Sequence, residues 1–224
     1  MTKITKAELY TLNNEFQRFR NGFNQARKHD KDYFIVQVKK FEKKYKKAGL
    51  EKNFAEILFS FAEQMRKNGI PDFPGMIYST LIKMPFLTYE RKEVFIINAI
   101  DFAREQNDPM HTLARIVDLK ILYKQQEQSH KYTQTLFEEE KVLIQICNNF
   151  KRAQKNFRTH VFQNSPLKKY QLQLAKVRVD IAKVLIKKEP HRAKAILLKA
   201  RPVFQNQEHT KEVDFVDTLL SELE

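Results

Sequence analysis

The sequence predicts an all-α fold, about ten helices in antiparallel hairpins, on three observations. Glycine is scarce: there are four in 224 residues and none after Gly75. Sheet proteins draw on glycine for positive-φ turns, whereas Lys, Glu, Gln, Leu and Ala favour helices. Apolar residues recur at alternating spacings of three and four along most of the chain, the pitch of a buried helix face. Helix-starting and helix-stopping residues interrupt these stripes at short intervals.

In chain order, Thr5 and Glu8 have capping-box spacing. The first stripe is Leu9, Leu12, Phe16, Phe19, Phe23 and Ala26, with Gly22 inside it as a point of close packing. Asp30 caps a second helix with the stripe Phe34, Val38, Phe41, Tyr45 and Ala48, and Gly49 stops it. A third runs over about 53–68. A loop at 69–75, holding Gly69, Pro71, Pro74 and Gly75, precedes a short helix that Pro85 closes. Thr88 caps a helix that is apolar on nearly all sides, and Asp108-Pro109 opens the next. The longest helix is expected over about 132–163, then a turn at Asn164-Ser165-Pro166 and a partner helix carrying Leu167, Tyr170, Leu174, Val177, Ile181 and Val184. Those two facing stripes predict an antiparallel hairpin. Pro190 restarts the chain, Pro202 is expected to end that helix, and a last one begins near Thr210. The organisation predicted is 1–130 as N-terminal hairpins and 131–224 as a long basic hairpin with two further helices, the whole compatible with one continuous domain.

Charge is uneven. Residues 1–52 carry a net +8, residues 53–150 a net −2, residues 151–201 a net +13 and residues 202–224 a net −5. A lone cysteine, Cys147, excludes an intrachain disulfide and fits a reducing compartment. Residues 1–12 hold no apolar run of signal-peptide type, and no apolar stretch is long enough to span a bilayer, so a cytoplasmic location without a membrane partner is expected.

The common catalytic patterns fail. Phosphate-cradling loops need closely spaced glycines that the chain lacks. Glu127-x-x-His130 has di-iron spacing but no second copy, and no two of the six histidines are three to five residues apart. Ser165-x-x-Lys168 is better read as a helix cap before Pro166, Cys147 as a buried thiol, and Glu138, Glu139 and Glu140 as a solvated acidic face. No cofactor, metal ion or enzymatic activity is expected.

Two helices carry a further pattern. Ala55-x3-Phe59-x2-Ala62, and with leucine Ala193-x3-Leu197-x2-Ala200, resemble the second helix of a tetratricopeptide repeat. The first-helix pattern of that family is absent. The resemblance implies a TPR-like or irregular α-solenoid that binds partners on its concave face.

The surface residues with an expected role are basic. Lys39, Lys40, Lys43, Lys44 and Lys47, with Lys46, lie opposite the second helix's apolar stripe. Lys151, Arg152, Lys155 and Arg158 lie on one arm of the long hairpin, and Lys168, Lys169, Lys176, Arg178 and Lys183 on the other. Two readings follow: a scaffold that binds a protein partner, an acidic one included, and a nucleic-acid binder contacting RNA or DNA backbone through 151–201. Oligomeric state is not legible.

Overall fold

A computed structural model describes residues 5–25, 30–156 and 166–223. Among the described residues there are ten helices and no strand. They are α1 (Lys6–Gln25), α2 (Lys31–Lys47), α3 (Glu51–Lys67), α4 (Pro74–Ile82), α5 (Tyr89–Glu105), α6 (Pro109–Gln125), α7 (Ser129–Asn156), α8 (Pro166–Leu185), α9 (Pro190–Asn206) and α10 (Thr210–Ser221). Two compact units contain them: Met1–Gln106, with α1–α5, and Asn107–Glu224, with α6–α10. Within each unit, helices pack on their neighbours in sequence order. The sequence placed its division at 130/131. Because α6 packs on α7, residues 107–130 belong to the second unit.

The caps follow the sequence. The Thr5 amide donates to Glu8 (2.8 Å) and the Glu8 amide donates back to the Thr5 hydroxyl (3.2 Å). Asp30 accepts from the Tyr33 amide, and Asp108 from the amides of Met110 and His111. Pro74, Pro109 and Pro190 each occupy a first helical turn, where no amide proton is needed.

Helix ends were less visible in the sequence. In the hairpins α2–α3, α6–α7 and α9–α10, three residues join the helices, and the paired helices start 20 residues apart. The middle connector residue has positive φ each time: Gly49 (68°), Glu127 (53°) and Glu208 (60°). The next amide returns to the carbonyl five residues back. These bonds are Leu50 to Tyr45 (2.9 Å), Gln128 to Tyr123 (3.0 Å) and His209 to Phe204 (3.0 Å). This is the Schellman closure, and its accepting residue is a buried aromatic in all three hairpins. Glu127 is therefore a connector residue and His130 an exposed residue in the first turn of α7, so the di-iron spacing spans a turn, not one helix face.

The first unit is built around aromatic rings. Phe16 of α1 meets Phe41 (5.0 Å, 84°), Phe54 (5.9 Å, 85°) and Phe61 (6.0 Å, 85°) edge to face, drawing α1, α2 and α3 together. The Tyr45 hydroxyl donates to Asn13 (2.8 Å), and burial pushes its pKa up to about 12. Arg66 forks onto Glu105, linking α3 to α5 and holding that carboxyl below its ordinary range. Gly22 is not a close-packing site: it is exposed, and a Cβ there would meet nothing within 4 Å.

In the second unit, α7 and α8 form the expected antiparallel pair. Phe150 stacks on Tyr170 (5.7 Å, 15°) and Arg178 Nε donates to Glu140 (2.9 Å). The expected α7 extension over 157–163 and the cap at Ser165 lie outside the described residues. Ala175 and Ala182 of α8 and Ala193 and Ala200 of α9 are fully buried, and such small residues let two helices approach closely. Cys147 is buried, and burial pushes its thiol pKa up, which suits a structural role.

Pro202 does not end its helix: α9 continues through it to Asn206. Proline removes the amide that would bond the Leu198 carbonyl. Leu198 and Pro202 are both exposed, so water can take that carbonyl, while buried Phe204 holds the last turn. Pro202→Ala is expected to stabilise the chain by about 2 kcal/mol, the helix gain less the flexibility returned to the unfolded state. Urea unfolding followed by circular dichroism reads this. A loss of stability would mean that Pro202 is needed to seat Phe204.

Candidate binding surfaces

The outer face of α2 follows from its amphipathic spacing. Phe34, Val38, Phe41 and Tyr45 are buried, which turns the residues half a rotation away toward water. Lys39, Lys40, Lys43, Lys46 and Lys47 are all exposed there, and none makes an ion pair among the described residues. Lys44 differs. It is half-buried, pairs with Glu15 of α1, and its Nζ lies 5.8 Å from the Phe41 ring centre. One turn N-terminal to the lysines, on the same exposed arc, are Val36 (60% exposed) and Tyr33 (53%). The α2 surface therefore combines an apolar end with a cationic end.

The second basic block is more heavily engaged. Lys151 and Arg152 near the end of α7, and Lys168 and Lys169 in the first turn of α8, are exposed. Lys169 Nζ lies 6.0 Å from the Tyr170 ring centre. The Lys155 side chain and all of Arg158 lie outside the described residues. Lys176 Nζ is 3.7 Å from Glu212 of α10, and Lys183 Nζ is 3.9 Å from Asp180 and 4.6 Å from the ring centre of Phe215, also on α10. Arg178 is largely covered and tied to Glu140. Arg192 pairs with Glu189 and lies over Phe137 of α7. Arg201 forks onto Asp217 through two bonds (2.6 and 2.8 Å), which hold that carboxyl below its ordinary range. Five of the cations in 151–201, Lys176, Arg178, Lys183, Arg192 and Arg201, thus reach from α8 and α9 to α7 or α10.

The helix expected from about Thr210 is in place, and two other features, a cleft and a buried glutamate, were not anticipated. The acidic C-terminal segment forms a helix that docks on the basic hairpin, with Glu212 on α8 and Asp217 on α9. Beside it, Lys176, Val179, Asp180, Lys183, Phe204, Glu212 and Phe215 line an open cleft of about 280 Å³. Glu139 is not a solvated residue. It is 1% exposed and bonded to Lys120 Nζ of α6 (2.5 Å) and Gln173 Nε2 of α8 (3.4 Å). Its signal was present in the sequence: Glu139 shares a helix face with Leu136 and Leu143, at spacings of three and four.

Among the described residues, no three His, Cys, Asp or Glu side chains gather in a way that could hold a metal ion, and no helix is long and apolar enough to cross a membrane. The class defined so far is an all-α protein of sequentially packed helical hairpins. Compared with protein-family models and with curated proteins, the chain matches none.

Proposed function

We propose that the chain is a non-enzymatic helical-hairpin scaffold that binds a protein partner, and that the partner lays an acidic, partly apolar segment on the outer face of α2. The observation that carries this is the exposed Val36 and Tyr33 aligned with five lysines free of ion pairs among the described residues. Single exposed apolar residues are ordinary on a protein surface, so the weight lies on the alignment of two of them with the lysines on one arc. An interface gains from both ends: apolar area to bury, and charge to steer the partner and fix its register. The repeated three-residue connectors support the scaffold reading. So do the fully buried alanines at Ala55, Ala62, Ala193 and Ala200, which strengthen the likeness to tetratricopeptide hairpins.

A photo-crosslinking residue at position 36, in the cell that makes the protein, tests this. The expected result is a protein adduct that survives nuclease and disappears when Lys39, Lys40, Lys43 and Lys47 are changed to Glu. A nucleic-acid adduct, or none, would overturn it.

Nucleic-acid binding is the second reading, favoured by one observation: between Glu140 and Asp180 the chain carries nine Lys and Arg and no acidic residue. Arg178 is tied to Glu140 and Lys176 pairs with Glu212 at the surface, which leaves Lys141, Lys151, Arg152, Lys168 and Lys169 as the other exposed cations of that stretch in the described residues. Titration with RNA and duplex DNA across a salt series decides it, because phosphate contacts give a steep loss of affinity with salt.

A further inference from the structure

We infer that the α8–α9 groove under α10 is a docking site for an acidic amphipathic helix, and that α10 is its resident occupant. The inference rests on the scaffold reading above and assigns a second surface to it. α10 has the chemistry of a ligand in place. Val216 is fully buried and Leu219 nearly so, while Glu212 and Asp217 meet Lys176 and Arg201. Glu212, Val216 and Leu219 sit at the spacings of one helix face, and Asp217 flanks it on the side of α9. The groove supplies cations from both walls, Lys176 and Lys183 from α8 and Arg201 from α9, with Phe204 at its base.

The fit is incomplete, which makes the occupant replaceable. Phe215 remains 43% exposed beside the cleft of about 280 Å³, so α10 leaves space that a bulkier apolar side chain would fill. α10 is also short, at 12 residues, and three residues join it to α9. A tethered helix of this kind competes at high effective concentration, so an outside helix gains access when the tether's own contacts weaken.

The test uses the full chain and a fluorescent peptide of residues 207–224. Asp217→Arg opens the latch and leaves Arg201 in the groove. Arg201→Glu opens the latch and reverses the charge of the site. The expected result is peptide binding at least about tenfold tighter to Asp217→Arg than to the unaltered chain, with no gain for Arg201→Glu. Hydrogen exchange on both variants checks that α10 amides lose protection while α8 amides keep it. Equal peptide binding by all three chains, or α10 protection unchanged in Asp217→Arg, would overturn the latch. So would tighter binding of a single-stranded oligonucleotide than of the peptide to Asp217→Arg. If the latch fails while the crosslink at position 36 persists, the scaffold reading survives without this second site.

Discussion

Phe16→Ala is expected to cost the first unit about 3–5 kcal/mol, the range for truncating a fully buried phenylalanine. Phe16 is 1% exposed and is the ring on which three helices converge. Removing it deletes transfer energy and several edge-to-face contacts together, and leaves a void that rigid neighbours such as Phe54 and Phe61 fill poorly. The loss is read as faster hydrogen exchange of the α1, α2 and α3 amides and as a lower urea midpoint. A neighbouring substitution sharpens the result: Phe19 is only half-buried, so Phe19→Ala should cost clearly less. If the two cost the same, or Phe16→Ala costs under about 1 kcal/mol, Phe16 is not the keystone of this core.

The same residues show how much of the fold the sequence made legible. The stripe Leu12, Phe16, Phe23 and the caps at Thr5, Asp30, Thr88 and Asp108 are periodic or local signals, and each lies where its spacing puts it. The hairpin rhythm was hidden for a local reason. Glycine marks the positive-φ connector at Gly49 but not at Glu127 or Glu208, where a glutamate takes that conformation. Its cost, of order 1 kcal/mol for a residue with a Cβ, is offset by the Schellman bond and the buried aromatic that closes it. Pro202 misled for the converse reason: a strong local stop signal yields when tertiary burial, here Phe204, holds the following turn.

For the candidate surfaces, the sequence indicated which residues are cationic but not which are committed. Lys39 and Lys176 look alike in a list of charges. The difference is made by Glu212, 36 residues away from Lys176 along the chain, and no periodicity reports on that. The net +13 of residues 151–201 therefore overstates the charge available to a ligand, and Glu212 and Asp217 of the acidic 202–224 segment take up two of its cations.

Lys120→Met is expected to destabilise the second unit by about 3–5 kcal/mol, because it leaves a buried carboxylate without its counter-charge. Glu139 is 1% exposed, while the Lys120 side chain keeps 20% of its surface. In the single variant the remaining neighbour on the carboxylate is Gln173, at 3.4 Å, a neutral donor at the limit of hydrogen-bond distance. The double variant Lys120→Met with Glu139→Leu should recover most of that loss, since a buried ion pair exchanged for apolar residues of similar size is often neutral or better. A double-mutant cycle from urea unfolding measures the coupling. Additive losses would mean that the two charges do not support each other. Large coupling with full recovery would mean that the pair contributes little net stability and instead fixes how α6, α7 and α8 register, since a carboxylate at Glu139 accepts only the arrangement that brings Lys120 and Gln173 to it. Hydrogen exchange separates these outcomes further. If the pair sets register, α6 amides in the double variant should exchange faster than in the unaltered chain even where the urea midpoint is restored.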